Sequence, residues 1–361
     1  MKIAYIGGAY IPSRGADSMH HMAMCEAWGA LGHDVTLHAR PALETAADDY
    51  AFYGVEPNFR VVKHPRPQIR VWGAFKNAWH VSRYIKANPL PDLLYSREIY
   101  GLSASVETEV PFIFESHWDP RHIVQREVEA WLFRRPTFKN LVVISDALRK
   151  IYNKLYPWLP NEKIIVAHDG ANLPVTVDAA ATPNSRLQVG YVGGFLKGYG
   201  IDVIASLARA HPTIDFHVVG GHANGITEWR ERAAQIRNLT FHGFVQPRDL
   251  PQLYANFEVV LAPFQEGTAH IKWISPMKLF EYMAHGKAII CSDFPVMREI
   301  VTDGVHALLV EPADLGSWSR ALARLAEPAL RARLGASARD RLVQNFTWKH
   351  RAKHVLSGVE H

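Results

Sequence analysis

The sequence predicts an α/β protein made of two Rossmann-like domains, and three observations support that prediction. The chain has 361 residues, which is more than one hydrophobic core usually supports, so two domains are expected. Short apolar runs alternate with amphipathic segments, as parallel strands alternate with helices in α/β folds. An apolar run that ends in a glycine pair occurs twice, as IAYIGG at 3–8 and as LQVGYVGG at 187–194. We therefore expect two βαβ-based domains in series, and not an array of short repeats.

Composition is typical of an ordinary globular protein. Hydrophobic residues make up 48% of the chain and charged residues 21%, which argues against a disordered or fibrous protein. No apolar run approaches the roughly 20 residues of a membrane span, and MKIAYIGGAY is too short for a signal peptide. Cys25 and Cys291 are expected as reduced core residues of a cytoplasmic protein. The net charge of +5 fits an anionic ligand, peripheral contact with the inner face of a membrane, or neither, and we expect no nucleic-acid partner.

The N-terminal domain, expected at 1–172, begins with a strand at Lys2–Ile6 that ends in a glycine pair. The next helix follows the loop IPSRGADSM. Backbone amides of Gly8 and Gly15, with the N-terminus of that helix, could face an anion such as a phosphate. The pattern is not Gly-x-Gly-x-x-Gly, so the alternative that these glycines serve only tight strand–helix packing stays open.

A basic and aromatic helix is predicted where the sequence reads RVWGAFKNAWHVSRYIKANP. This surface suits an acceptor site or an anionic membrane. Most amphipathic helices simply pack against a sheet, and both alternatives stay open. The aromatic and basic residues of the helix are Arg70, Trp72, Phe75, Lys76, Trp79, Arg83 and Lys86.

Polar residues follow the strand predicted at Pro111–Phe114. The motif ESHWDP places Glu115, His117 and Asp119 directly after this strand. Ligands of open α/β sheets bind at the carboxyl ends of the strands, so these side chains are candidates for a site. A single histidine is more often structural than catalytic, and that alternative is open as well.

A linker is predicted at 173–186, where the chain is small, polar and proline-containing. The C-terminal domain is expected at 187–346, and a last helical segment at 347–361. Further strands are predicted in DFHVVGG, LTFHGF and EVVLAP, and helices near 226–236, 249–256, 315–326 and 328–345.

The most informative helix is predicted at 276–285, within SPMKLFEYMAHGKAIICSD. Ser275 is a suitable N-cap, Pro276 suits the first helical position, and Gly286 suits the left-handed residue that ends a helix. A short strand follows at once.

The two faces of this helix differ in chemistry. Lys278, Glu281 and His285 fall on one face, and apolar residues fall on the other. A carboxylate on so apolar a helix needs a partner that offsets its desolvation, and a ribose diol would supply two hydrogen bonds. The alternative is an intrahelical pair of Lys278 with Glu281, worth only ~0.3–0.5 kcal/mol.

The segment SPMKLFEYMAHGKAIICSDFPVMREIV, followed by DGVHALLVEP, resembles the C-terminal signature of family 4 (group 1) of the retaining GT-B glycosyltransferases. The resemblance implies the GT-B fold, with two Rossmann-like domains facing across a deep cleft. The N-terminal domain would bind the acceptor and the C-terminal domain the nucleotide-sugar, and the helix at 347–361 would cross back to the N-terminal domain. Members commonly carry two glutamates separated by seven residues. Glu281 matches the second, which implies contact with the nucleotide ribose, whereas the first position is Trp273.

Other positions receive roles from the same resemblance. His117 matches a histidine that reaches the donor sugar. The segment GGFLKGYG is similar to the family's glycine-rich loop, with Tyr199 at the usual lysine position and Lys197 two residues earlier. The segment LTFHGFV is similar to the turn whose backbone reads the base, around Phe244 and Val245. The family also often has a basic residue where Arg97 stands.

The resemblance implies a retaining transfer of a sugar from a UDP- or GDP-sugar to a glycan, lipid-linked or small-molecule acceptor. The departing diphosphate would accept the acceptor's proton on the same face of the sugar, so the protein supplies orientation and charge. The chain contains no Asp-x-Asp triplet, and we expect neither a metal nor another cofactor. The groups expected to neutralise the diphosphate are the amides of Gly8, Gly193 and Gly194 and the ammonium groups of Lys197 and Lys278.

Two alternatives from other classes stay open. A nucleotide-sugar-binding pseudoenzyme would account for Trp273 and Tyr199, which replace residues of the family pattern. A GT-B nucleotide-sugar epimerase would share the fold and the donor.

Overall fold

The structure, a computed structural model, describes residues 1–42, 46–65, 70–174, 185–221 and 223–359. The chain divides into two compact units. The first comprises 1–168 with 348–361, and the second comprises 169–347. Most of the predicted linker, at 175–184, lies outside the described residues, as do the side chains of Arg70, Trp72 and Phe75.

The first unit is built on a parallel sheet of seven strands in the order β3-β2-β1-β4-β5-β6-β7. The order reverses beside β1, and ligands of open α/β sheets bind at such a reversal, at the carboxyl ends of the strands. The strands are β1 (Lys2–Ile11), β2 (Asp34–Pro41), β3 (Arg60–Lys63), β4 (Leu93–Ser96), β5 (Phe112–Ser116), β6 (Phe138–Val143) and β7 (Ile164–Val166).

Helices of the first unit connect these strands. One of them is capped by the residue just before it, because the Ser145 hydroxyl accepts a hydrogen bond from the Leu148 amide at 3.1 Å. The helices are α1 (Ala16–Gly29), α2 (Asp49–Tyr53), α3 (Arg70–Ala87), α4 (Ile99–Ser105), α5 (Ile123–Phe133) and α6 (Asp146–Leu155).

The second unit repeats this plan with six parallel strands in the order β10-β9-β8-β11-β12-β13. Its strands are β8 (Gln188–Val192), β9 (Asp215–Val219), β10 (Leu239–Gly243), β11 (Val259–Ala262), β12 (Ala288–Ser292) and β13 (Leu308–Val310). Its helices are α7 (Ile201–Ala210), α8 (Ala223–Arg232), α9 (Leu250–Asn256), α10 (Met277–Ala284), α11 (Pro295–Ile300), α12 (Leu315–Arg324) and α13 (Pro328–Asn345). The predicted pair of Rossmann-like domains is confirmed.

The last helix, α14 (Trp348–Leu356), belongs to the first unit although it follows the second in sequence. The indole of Trp28, on α1, donates a hydrogen bond to the Ala352 carbonyl at 3.1 Å. Arg351 is buried with Glu115, as described below. The return of α14 therefore adds a buried charge to the N-terminal unit.

Inner strands of both sheets are buried along their whole length, as their continuous apolar sequences predict for parallel strands with both faces covered. All residues of β11 and β12 are buried. Among the described helices, none combines the length and the hydropathy that a bilayer-spanning segment needs.

The first strand corrects one prediction. We expected β1 to end before Gly7, but it continues through Ile11, and its pairing with β2 resumes at Tyr10 after an irregularity. A Cβ at Gly7 would lie 2.6 Å from the His21 ring. Gly7 therefore permits close packing of strand and helix, which was the alternative to a phosphate-binding turn.

The start of α10 corrects another prediction. Ser275 does not cap the helix, because its hydroxyl accepts a hydrogen bond from the Asp169 amide at 2.8 Å. Pro276 takes the N-cap position, and the helix begins at Met277. The predicted end of the helix is confirmed, since Gly286 has a positive φ of 61°.

Candidate active site

Tyr282 joins α10 to the sheet of the second unit. Its hydroxyl oxygen accepts a hydrogen bond from the Val192 amide at 3.0 Å, and the hydroxyl donates to the Leu261 carbonyl at 3.1 Å. Val192 ends β8 and Leu261 lies in β11, and the Tyr282 ring is fully buried. This contact fixes the adjacent polar face of α10 over the carboxyl end of β8.

Lys278 lies on that face with its ammonium group enclosed by aromatic rings. The ammonium donates a hydrogen bond to the Tyr191 hydroxyl at 2.8 Å and lies 4.1 Å from the centroid of the same ring. The ring centroids of Phe264 and Tyr199 are 4.7 Å and 4.8 Å away. We call these three rings the aromatic cage. The electron-rich ring faces partly offset the loss of hydration of the ammonium.

Gly193 leaves the space that the ammonium of Lys278 occupies. A Cβ at this position would lie 2.7 Å from the lysine Nζ. The Gly193 amide donates to the Val219 carbonyl at 2.9 Å, so this amide does not point to a ligand as we had predicted. A side chain at this position would have to displace the ammonium of Lys278, so the glycine keeps that space open.

Ends of three neighbouring strands meet at this edge of the second sheet. The Gly220 amide donates to the Gly243 carbonyl at 2.7 Å, and a Cβ at Gly220 would lie 2.2 Å from the Gly193 carbonyl oxygen. Phe244 and Val245 directly follow Gly243. The turn predicted to read the base therefore lies at the same edge as Gly193, and its contact with a base stays a prediction.

Glu281 lies one turn after Lys278 and accepts a hydrogen bond from the Tyr254 hydroxyl at 3.2 Å. The ring of His285, a further turn along, stacks on Tyr254 with the centroids 4.0 Å apart. The structure does not show the intrahelical pair that was the alternative, because Lys278 turns to Tyr191 instead.

Burial shifts both charged groups of α10 toward neutrality. It lowers the pKa of Lys278 to about 7, although Glu281 acts to raise it. It also raises the pKa of Glu281 to about 7, against the hydrogen bond from Tyr254 and the charge of Lys278. Each group therefore gains from an added partner, an anion for the lysine and a hydrogen-bond donor for the glutamate.

Remaining predicted residues of the second unit have less defined surroundings. Lys197 is exposed in the loop after β8, and the Gly194 carbonyl accepts a hydrogen bond from the Tyr191 hydroxyl at 2.7 Å. Tyr199, at the usual lysine position, is part of the aromatic cage. Trp273, in place of the first glutamate, is buried. The roles of Lys197 and Gly194 stay predictions.

The first unit carries a second polar group of side chains, centred on Glu115 at the carboxyl end of β5. Its Oε1 accepts hydrogen bonds from the His117 Nε2 and, at 2.8 Å, from the Arg351 Nη2. The Nε2 of His20 lies 3.2 Å from the same oxygen. Its Oε2 accepts a hydrogen bond from the Tyr95 hydroxyl. Burial acts to raise the pKa of Glu115, but Arg351 and His20 hold that pKa well below its usual range.

His117 is the partly exposed member of this cluster, with 13% of its side chain accessible to solvent. Burial and the nearby Arg97 lower the pKa of His117 to about 4, although Glu115 acts to raise it. The ring is therefore neutral at pH 7. Its predicted contact with a donor sugar stays a prediction.

Arg97 and Asp17 lie at the same edge of the first sheet. The Arg97 Nη2 is 3.1 Å from Asp17 Oδ1. Burial acts to raise the pKa of Asp17, but His21 and Arg97 lower that pKa to about 2. Sequence reasoning did not find Asp17, since a single acidic residue in the first turn of a helix is common.

Gly8 and Gly15, whose amides were predicted to face an anion together with the start of α1, lie in different elements. Gly8 lies inside β1, and Gly15 occupies the N-cap position of α1. The first turn of α1 already contains the carboxylate of Asp17. An anion at this helix start would also meet that negative charge, and the contact of the two glycines with an anion stays a prediction.

Side chains suited to metal binding occur together in the first unit. One ligand atom each from His20, Glu115 and His117 lies within 4.8 Å of the others. A divalent cation there would lie close to the positive guanidinium of Arg351. It would also replace the hydrogen bond that the His117 ring donates to Glu115. Hydrogen bonding suits this donor set better than metal ligation does.

Two Rossmann-like sheets in one chain, the second with a lysine and a glutamate on a helix over its carboxyl edge, define a protein of the GT-B class. Residues 186–328 match the family model described as glycosyl transferases group 1. The match to group 1 thus lies within the second unit, and the fold of the whole chain is of the GT-B type. The predicted resemblance to group 1 is confirmed for that segment.

Comparisons with individual proteins agree with this assignment. The chain is 28% identical over 162 residues to the O-antigen biosynthesis protein RfbC of Myxococcus xanthus, which covers 44% of this chain and 12% of that protein. It is 21% identical over 375 residues to an alpha-maltose-1-phosphate synthase of Mycolicibacterium smegmatis, and this match covers 92% of this chain and 95% of that protein. The structure of Anabaena HepE in complex with UDP-glucose superposes with a TM-score of 0.74 at 15% identity, covering 99% of this chain and 98% of HepE.

Proposed function

We propose that the protein is a glycosyltransferase that moves a sugar from a nucleotide-sugar to a carbohydrate, lipid-linked or small-molecule acceptor. The observation that carries the proposal is the pair of Lys278 and Glu281 on one face of α10, beside Gly193. A diphosphate at the lysine and a ribose diol at the glutamate would give each group the partner that burial makes favourable. Both parts belong to a single nucleotide-sugar.

The diphosphate is the part of the donor that gains negative charge during transfer. A cation ~4 Å from a phosphate oxygen contributes up to ~4 kcal/mol at an effective dielectric constant near 20. This attraction grows as the bond to the sugar breaks, so it favours the transition state over the bound donor. We infer a front-face reaction with retention of configuration and without a metal ion, in which Lys278 carries most of this stabilisation.

The donor that we propose is a UDP-sugar. HepE, which shares the fold, was solved in complex with UDP-glucose. The turn at Phe244 and Val245 would contact the base, as the sequence predicts. A GDP-sugar remains the alternative donor, and a panel of donors separates the two.

Incubation with radiolabelled UDP-, GDP- and ADP-sugars tests this function. We expect slow release of free sugar from a UDP-sugar, with the anomeric configuration of the donor retained in the product when it is read by NMR. Binding without turnover would support the pseudoenzyme, and a changed sugar still attached to its nucleotide would support the epimerase. An inverted product would contradict the retaining mechanism.

A further inference from the structure

We propose that Arg351 and Glu115 are positioning residues that hold His117 neutral, with its proton on Nε2 and its Nδ1 presented as a hydrogen-bond acceptor. The inference rests on the proposed function only in one respect: the hydroxyl that Nδ1 would accept from belongs to a sugar. The positions of the three groups themselves do not depend on the reaction.

The first step concerns the tautomer of His117. An ionised carboxylate only accepts hydrogen bonds, so a ring nitrogen that contacts it must carry a proton. Glu115 Oε1 contacts the Nε2 of His117 and lies 3.2 Å from the Nε2 of His20. In a neutral imidazole the other nitrogen is then an acceptor, which assigns this role to the Nδ1 of His117.

The second step concerns the charge of the cluster. Arg351 is buried, with 3% of its surface exposed, and stays charged at every relevant pH. Its Nη2 donates to Glu115 Oε1 at 2.8 Å, so the negative charge of Glu115 is balanced by Arg351 and neither imidazole needs a second proton. Without Arg351 the buried carboxylate would draw a proton onto His117, whose two nitrogens would then both be donors.

The third step concerns the rigidity of Arg351. Its Nε donates to the His168 carbonyl at 2.9 Å and its Nη2 approaches the Ala167 carbonyl at 3.3 Å. Both carbonyls follow β7, the last strand of the first sheet. The guanidinium therefore reaches Glu115 with most of its orientation already fixed.

Aromatic contacts also fix the orientation of the imidazole rings of His20 and His117. The Trp348 ring on α14 packs edge-on against His20 with the centroids 5.1 Å apart. The His20 ring packs edge-on against His117 at 5.0 Å. The last helix thus supports His117 both through the charge of Arg351 and through this chain of rings.

Several charged and titratable groups face His117 and share in setting its protonation. Asp17 and His20 lie on α1, Arg97 follows β4, and Glu115 lies on β5. Arg351, on α14, acts through its contact with Glu115. Only Arg351 is replaced in the main variant below, so the other groups provide a constant background.

NMR of the full-length protein with ¹⁵N-labelled histidine tests the proposal without reference to activity. His117 is assigned by comparison with His117→Gln. We expect the Nε2–H tautomer at pH 7 in the unchanged protein, and an increase of more than one unit in the pKa of His117 in Arg351→Met. Arg351→Lys should restore most of the shift, because it returns the charge. Lys353→Met removes an exposed charge from the same helix and serves as the matched control.

Turnover of the donor provides the second readout. We expect kcat of Arg351→Met to fall about tenfold or more, with nucleotide affinity unchanged. The ratio of its kcat to that of the unchanged protein should fall further as the pH is lowered from about 8 to 5, because His117 of the variant gains a second ring proton in this range.

These outcomes separate the proposal from the function on which it rests. An unchanged tautomer and pKa of His117 in a folded Arg351→Met protein would overturn the positioning role, whatever the activity. The NMR shift together with no sugar release by the unchanged protein would keep the positioning role and reject the proposed reaction.

Discussion

At the scale of single residues, the two units hold charge in different ways. Glu115 is buried and fully paired, and its partner Arg351 keeps it ionised. Lys278 is partly buried, and its ammonium lies within the aromatic cage and donates to the Tyr191 hydroxyl. A charge that is already paired within the protein has a structural role. A group whose pKa is shifted to near 7 can instead be stabilised by a ligand of opposite charge. This contrast is why we assign the donor to the second unit.

Replacement of Lys278 tests its role in the reaction. Lys278→Ala should lower turnover by roughly a hundredfold or more, because a charge that stabilises the leaving group is lost. Lys197→Ala should have a smaller effect, since that side chain is exposed and must bend toward a ligand. Lys272→Ala, which removes another exposed lysine, is the control. Full activity of Lys278→Ala would remove this residue from the site.

Nucleotide affinity should depend on pH through the same two residues. A diphosphate raises the pKa of Lys278, so binding takes up a proton above about pH 7 and affinity falls as the pH rises. Glu281 must be ionised to accept both ribose hydroxyls, so affinity also falls as the pH drops below about 7. We expect a bell-shaped profile for a UDP-sugar in titration calorimetry.

Two variants assign the limbs of that profile. Lys278→Arg keeps its charge at high pH and should lose the alkaline limb, whereas Glu281→Gln cannot titrate and should lose the acid limb. Glu281→Gln should also bind about tenfold more weakly near neutrality, because a buried hydrogen bond to a charged acceptor is lost. A flat profile in the unchanged protein would contradict the assignment of both groups.

At the scale of elements, the sequence predicted those helix ends that depend on residues close together in the chain. Gly286 ends α10, as predicted. Ser145 caps α6 through a hydrogen bond within one turn. Ser275 misled the prediction because its partner, Asp169, is 106 residues away in sequence. Gly7 was predicted to follow the end of β1, but it lies within the strand. A glycine is needed at this position because the ring of His21 lies close to it.

The anchor of α10 is open to a direct test. Tyr282→Phe removes a hydroxyl that binds the Val192 amide and the Leu261 carbonyl in a fully buried position. The free energy of unfolding of the second unit should fall by about 1–3 kcal/mol, since buried polar groups lose their partner. Urea denaturation measures this loss, and nucleotide affinity should fall with it. Tyr50→Phe, which removes a hydroxyl that binds the Phe59 carbonyl in the first unit, is the control. Unchanged stability would mean that packing alone holds the helix.

Helix α3 remains the candidate for contact with an anionic membrane. Lys76, Arg83 and Lys86 are exposed, and the Trp79 ring is 53% exposed. Cosedimentation with anionic vesicles at low salt should be reduced when the three basic residues are replaced by Ala, because attraction to the surface is electrostatic. A triple variant of exposed residues on other helices, Arg209, Arg324 and Lys353 to Ala, is the control. Equal binding of both variants would leave α3 as a helix that only packs on the sheet.

At the scale of the whole molecule, the sequence predicted the fold better than the site. Strand and helix runs follow from patterns within ten or so residues, and the two glycine-pair strands marked both domains. The aromatic cage brings rings such as those of Tyr191 and Phe264 around Lys278 from separate segments. Arg351 contacts Glu115, which is 236 residues away in the sequence. Such contacts exist only once the chain is folded, so no spacing in the sequence could show them.

The absence of a metal requirement is the prediction that concerns the protein as a whole. Metal-dependent transferases hold a divalent ion with an Asp-x-Asp triplet, and this chain has none. Among the residues that the structure describes, the side chains that could together hold a metal ion are His20, Glu115 and His117. The carboxylate of Glu115 already accepts a hydrogen bond from Arg351. We expect the diphosphate charge to be neutralised by Lys278, with Lys197 and the Gly194 amide as further predicted donors.

We therefore expect transfer from the preferred donor to continue in excess EDTA, at a rate within about twofold of that in untreated enzyme. Added Mg²⁺ should not raise kcat, because the cation that stabilises the leaving diphosphate is part of the chain. Lys278→Ala provides the internal comparison: if Mg²⁺ partly restores its activity, the ion and the ammonium act at the same charge. Loss of activity in EDTA that returns only with Mg²⁺ or Mn²⁺ would refute the metal-free mechanism and would direct attention back to the clustered side chains of the first unit.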